Sequence, residues 1–193
     1  IKDGFYKGAI PSLVSKAMAK HGGIITEEDF AEYKAVKRQV VKGSYRGYDV
    51  ISMCPPSSGG IALLQMLNIL STYTFKKDEW HSPRHAHAML SAMKFAFADR
   101  TVHLGDPDFT QIPYRMLLSQ KYADRLAARI PQNTAIPSSS ISAGDPKAFT
   151  KESDETTHYS VLDSSGNAVS VTTTINSWFG SGFIAEGTGF FLN

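Results

Sequence analysis

Cysteine is nearly missing from this 193-residue chain, which holds only Cys54. A lone thiol forms no intrachain disulfide, and no Cys/His spacing around it suits zinc, so it reads as a buried or half-buried thiol. Scarcity of cysteine leaves the compartment open. Long hydrophobic runs are missing too: no stretch approaches the roughly 18–20 apolar residues of a membrane-crossing helix. Neither sign of charge dominates. The formal net charge is +2, and short basic clusters such as Lys34 to Arg38 are interrupted, so no nucleic-acid partner is implied. Neither an initiator Met nor a signal segment opens the chain at Ile1-Lys2-Asp3, and Phe190-Phe191-Leu192-Asn193 reads like a strand cut short. The expectation is a piece of something longer, uninformative about export.

What is present is ordinary globular composition, 42% hydrophobic and 20% charged, enough for one domain with a sizeable core. Apolar spacing predicts a helix over residues 5–21, stopped by Gly22-Gly23. Thr26-Glu27-Glu28-Asp29 reads as a capping box opening a short helix. Arg38 to Met53 alternates and is punctuated by Gly43 and Gly47, which predicts paired strands. Helices follow over about 61–70, from Ser82-Pro83 to about Val102, and over about 114–129. Residues 131–155 are rich in Pro, Ser and Thr and read as a flexible segment. Two strands then follow, Thr157 to Asp163 and Asn167 to Ile175. The order suggests an α+β or layered α/β architecture.

The junction DETTHYSVLDSSGNAVSVTTTIN carries the chemistry. A three-residue loop Ser164-Ser165-Gly166, with Gly in the left-handed position, pairs Asp163 with Asn167 and each residue i with 330 − i. Thr156 then faces Thr174, with Cβ atoms about 4.5–5.5 Å apart. A two-residue turn at Ser165-Gly166 would instead face Thr157 with Thr174; the sequence leaves both registers open. A threonine hydroxyl needs a nearby base to act as a nucleophile. Cutting the bond between Glu155 and Thr156 would supply one, because the freed α-amine has an ordinary pKa near ~7.7–8.0. The same hydroxyl can make that cut by attacking the Glu155 carbonyl carbon in an N-to-O acyl shift. The plain alternative is a threonine-rich hairpin that is simply a good strand.

TTHYSVLDSSGNAVSVTTTIN followed by FGSG resembles the γ-glutamyltransferases (γ-glutamyltranspeptidases, glutathione hydrolases) of bacterial type. The likeness extends through CPPSSGGIALLQMLNIL, KFAFADR and LGDPDF, essentially the whole chain. It implies an N-terminal-nucleophile hydrolase with a layered αββα sandwich, incomplete in this chain. Residues 1–155 would form the later part of the large-subunit region and 156–193 the start of the small-subunit region, within one domain, after autocatalytic cleavage between Glu155 and Thr156. It implies Thr156 as nucleophile and new amino terminus, Thr174 as the threonine hydrogen-bonded to it, and Asn176 as a contact to the α-amino end of the γ-glutamyl group. The implied reaction is ping-pong acyl transfer from glutathione or other γ-glutamyl compounds to water, an amino acid or a dipeptide. No metal or organic cofactor is implied, and the location would be periplasmic or secreted. The family's carboxylate-binding Arg, its substrate-binding Asp, and its Ser-Ser and Gly-Gly pairs would fall outside these residues, so the chain alone is expected to be inactive. Loss of an oxyanion donor alone costs about 10²–10³ in rate.

Other features read blandly. His81, His85 and His87 lack a completing carboxylate and read as surface or core histidines rather than metal ligands. His158 shares Thr156's face by strand alternation, as a packing or plain strand histidine. Pro55 to Gly60 lacks the phosphate-loop pattern and reads as a rigid turn before a helix. Asp106 and Asp108 read as turn residues around Pro107. The competing functions are a related amidase, acting on glutaryl-β-lactams or poly-γ-glutamate, and an inert structural fragment.

Overall fold

Single residues set several helix ends among the described residues. The computed structural model describes residues 2–143 and 157–193, and only the backbone of Thr157 and His158. Helix α1 spans Lys2–Tyr6 and α2 spans Ala9–His21, so the expected single helix is broken at Lys7-Gly8. Gly22 closes α2 in the left-handed conformation, at φ 76°. The Thr26 hydroxyl and the Asp29 carboxylate form the reciprocal box expected at the start of α3, Glu27–Glu32. Strands β1 (Val41–Tyr45) and β2 (Tyr48–Ser52) pair antiparallel around Arg46-Gly47, both at positive φ. Such two-residue turns match the natural twist of a hairpin.

Helix α4 is Gly59–Leu70, and α5 is Pro83–His103, opened by the Ser82 hydroxyl accepting the His85 N–H. The single helix expected over 114–129 is two: α6 (Tyr114–Leu117) and α7 (Gln120–Ala127). Ser119 makes the break. Its hydroxyl accepts the Tyr122 N–H at 3.2 Å, a cap that starts a new helix. The described part of the Pro-, Ser- and Thr-rich stretch is held down rather than free. Pro131 O meets His87 Nε2 at 2.7 Å, Lys94 Nζ donates to Ile136 O at 2.8 Å, and Ile136 and Ile141 pack on the core. Strands β3 (Thr157–Leu162) and β4 (Ala168–Thr173) form a second antiparallel hairpin.

The chain is mixed α and β and divides into two compact units, Lys37–Lys151 and Ile1–Val36 with Glu152–Asn193. The larger unit is built on α4. One side of it joins Ile69 to Ala92, Phe95, Ala123 and Leu126; the other joins Ile61 and Leu64 to Val41, Ile112 and Leu117. Gly60 lets α4 start against the β-hairpin, since a Cβ there would strike the Met53 carbonyl oxygen. In the smaller unit, Val14 and Met18 of α2 pack with Ala185, Phe183 and Leu192 from the segment after β4.

Candidate active site

The β3–β4 turn decides which residues face each other, and it is the three-residue form. Leu162 pairs with Ala168 and Thr157 with Thr173, so residue i meets 330 − i throughout. Asp163 N–H donates to Asn167 O at 3.0 Å, and Gly166 sits at φ 82°. Asp163 anchors the turn. Its Oδ1 accepts from Ser165 N and Asn167 N, at 2.9 and 2.8 Å, and its Oδ2 accepts from Asn167 Nδ2 at 2.8 Å. These donors, the Asn167 side chain foremost, hold the Asp163 carboxyl below the ordinary carboxylate range.

Past the end of β4, two predicted site residues come together. Thr174 Oγ1 accepts the Asn176 N–H at 2.9 Å. That bond closes a tight turn in which Asn176 takes a left-handed φ of 65°, a conformation that asparagine tolerates better than most residues. Asn176 Nδ2 donates to Asn193 Oδ1 at 2.7 Å. The segment between is pinned back on itself. Ile184 bridges Phe191, Leu192 N donates to Phe183 O at 2.9 Å, and Leu192 O accepts both Ser181 N and Ser181 Oγ. Glu155 and Thr156 lie outside the described residues, so Thr174 and Asn176 are the predicted site residues whose geometry is seen.

The remaining candidates are engaged in structural contacts. Asp106 Oδ1 accepts the Asp108 N–H at 3.0 Å, as a turn residue does, and Asp108 receives a fork from Arg38 at 3.1 and 2.6 Å. That fork lowers the Asp108 pKa and raises that of Arg38. His85 meets Phe75 edge-on and Trp80 at a tilt, while His87 meets Pro131 O. No group of three metal-ligating side chains occurs among the described residues. Cys54 is half-buried beside the core of the larger unit.

Three kinds of likeness bear on this arrangement. The family model for gamma-glutamyltranspeptidase matches residues 2–193. The chain belongs to the γ-glutamyltranspeptidase family. It is 49% identical over 191 residues to the glutathione hydrolase proenzyme of Escherichia coli (strain K12), covering 99% of this chain and 33% of that protein. It is 39% identical over 192 residues to the acylase ACY 1 proenzyme of Pseudomonas sp. (strain SE83), again 99% of this chain and 33% of that protein. The chain thus spans about a third of the length of these relatives. Among solved structures, Helicobacter pylori gamma-glutamyltranspeptidase matches with a TM-score of 0.68 at 43% identity, over 74% of this chain and 41% of that one. Cephalosporin acylase from Bacillus halodurans matches with a TM-score of 0.78 at 26% identity, over 98% of this chain and 32% of that one.

In this family member the upstream motifs bond to one another. Arg100 Nε, from KFAFADR, donates to Ser58 Oγ of CPPSSGG at 2.6 Å. Asp99, 2% exposed, bonds Gln65 Nε2 and accepts the Tyr122 hydroxyl at 3.0 and 2.9 Å. Burial, then the Asp99 charge, drives the Tyr122 phenol well above its ordinary range. A cavity of about 1050 Å³ in the same unit is lined by Arg84, His87, Asp124 and Asn133, among others. Its Arg84 is paired with Glu79 and its His87 with Pro131, and it holds none of the predicted site residues. Sequence reasoning gave no role to Asn193, and it placed Asp163 opposite Asn167 without foreseeing its side-chain hold on the turn. The Asp163-x-x-x-Asn167 spacing around the turn could have flagged that hold. Nothing in the sequence links Asn176 to a residue 17 positions away.

Proposed function

We propose that the protein carrying this segment transfers γ-glutamyl groups, using Thr156 as an N-terminal nucleophile freed by cleavage after Glu155. The observation that carries this reading is the register. The ladder obeys 330 − i down to Thr157 and Thr173; we propose that the same rule continues by one pair, from Thr174 to Thr156. Thr174 would then hydrogen-bond the nucleophile while its own Oγ1 orders Asn176. The Thr156 hydroxyl attacks the γ-carbonyl carbon and its proton passes to the α-amine of the same residue. The C–N bond breaks as that proton moves to the departing amine, leaving a γ-glutamyl ester. Water, or the amine of an amino acid or dipeptide, attacks the ester and returns the proton to Thr156. None of these steps calls for a metal or an organic cofactor. Asn176 binds the substrate's α-ammonium. The relatives named glutathione hydrolase support glutathione as a donor, and a periplasmic or secreted location is part of the same proposal.

A layered αββα sandwich spanning both subunit regions would suit the surfaces left open. Tyr159, Val161 and Val169 on one hairpin face are 50–56% exposed, and Met89, Leu90, Met93 and Phe97 form an exposed apolar stripe on α5. The 193-residue chain alone is proposed to be inactive, and release of p-nitroaniline from γ-glutamyl-p-nitroanilide by it would contradict that. A second reading, an amidase for another acyl group, is favoured by the acylase relatives. A chimera decides between them: residues 1–193 replace the matching third of the E. coli proenzyme, and turnover of γ-glutamyl-p-nitroanilide is compared with glutaryl-p-nitroanilide. The first reading expects cleavage before Thr156 and preference for the γ-glutamyl compound. Preference for the glutaryl compound would establish the second, and an uncut, inactive chimera would leave an inert scaffold.

A further inference from the structure

We infer that Asn193 is a positioning residue that locks the Asn176 carboxamide with its oxygen available to the substrate's α-ammonium. The inference rests on the proposed binding of that ammonium by Asn176. An ammonium offers donors and no acceptor, whereas a carboxamide offers an oxygen on one side and an NH₂ on the other. An asparagine that serves an ammonium must therefore be held in one of two flip states; the other sets N–H donors against a cation.

The Asn176 Nδ2 bond to Asn193 Oδ1, at 2.7 Å, assigns the NH₂ to Asn193. It leaves Asn176 Oδ1 without a hydrogen-bond partner among the described residues, on an exposed residue. The backbone is held at both ends of this bond. Asn176 is set by its left-handed turn and by Thr174 Oγ1. Asn193 follows Leu192, whose N–H and carbonyl oxygen are both engaged and whose side chain packs against the Val14 and Met18 cluster. Gly180 makes this return possible, since a Cβ there would strike the Leu192 carbonyl oxygen. Asn193 thereby becomes a specificity determinant. Its contact matters for donors that carry an α-amine and is idle for glutaryl donors that lack one.

The test uses the E. coli chimera with Asn193→Ala and Asn193→Asp, assayed on γ-glutamyl-p-nitroanilide and glutaryl-p-nitroanilide. Asn193→Ala is expected to lower the γ-glutamyl to glutaryl ratio of kcat/KM about tenfold, the scale of one hydrogen bond, mainly through KM. Asn193→Asp keeps the acceptor and retains the ratio. Equal losses on both substrates in Asn193→Ala, or an unchanged ratio, would overturn the role. If the unsubstituted chimera turns over neither anilide, the acyl-transfer reading fails by itself. The lock is then read in the 193-residue chain by NMR: the two Asn176 Nδ2 protons are expected to be well separated, and to converge in Asn193→Ala. Identical Asn176 side-chain signals in the two proteins would overturn it.

Discussion

Thr157 lies opposite Thr173 at the open end of the β3–β4 ladder, one residue short of the two threonines that matter most to the proposed chemistry. A slip of one residue would turn every side chain to the other face of the hairpin. The three-residue turn therefore determines which threonine can meet Thr174, and the predictions below start from it.

Thr174→Val keeps a β-branched shape and removes the hydroxyl that accepts the Asn176 N–H. In the chimera it is expected to lower kcat for γ-glutamyl-p-nitroanilide by about tenfold or more, with Thr174→Ser recovering most of the loss. Steady-state kinetics of the two variants check this; full activity in Thr174→Val with a loss in Thr174→Ser would point to packing of the methyl group instead.

Asp163 should make the hairpin sensitive to acid. Its carboxyl titrates below the ordinary 3.8 because Asn167, first through its side chain, and the turn amides donate to the charged form. A depressed folded pKa means that the stabilisation is present above the unfolded value and is lost as pH falls through the folded one. Amide shifts of Ser165 and Asn167, followed by NMR from about pH 6 to about pH 2, are expected to move together below the ordinary carboxylate pKa. Asp163→Asn should abolish that transition.

Tyr122→Phe removes a hydroxyl that donates to both oxygens of the buried Asp99. The expected cost is about 1–3 kcal/mol, since a buried carboxylate loses a donor while the ring packing is kept. Denaturant unfolding measures it, and a change below about 0.5 kcal/mol would remove this network from the account of stability.

Gly180→Ala places a Cβ against the Leu192 carbonyl oxygen at a φ of 57°. The return of the segment toward Asn193 should loosen, seen as faster hydrogen exchange at the Leu192 amide and convergence of the Asn176 Nδ2 proton shifts.

Local rules made much of this legible. The Thr26 box, the Ser82 cap and the Gly22 stop each depend on a few neighbouring residues whose chemistry permits one main outcome. Ser119 was equally local but sat inside a continuous amphipathic pattern, which masked the break between α6 and α7. The hold on residues 131–143 was not legible, because Lys94 and His87 reach it from α5 across more than 40 residues of sequence. The Asn176–Asn193 bond was hidden for the same reason, since it depends on the path of an irregular segment. The nucleophile itself was named from family likeness and an open choice of register; the structure resolved the register, and Thr156 lies outside the described residues.

The most direct test of the central claim is the amino terminus produced when the chimeric proenzyme matures. Intact mass and terminal sequencing should show a new chain beginning Thr156-Thr157-His158, formed without added protease, with Thr156→Ala remaining whole and inactive. An uncut chimera that still turns over γ-glutamyl-p-nitroanilide, or a cut at another bond with full activity in Thr156→Ala, would contradict the account.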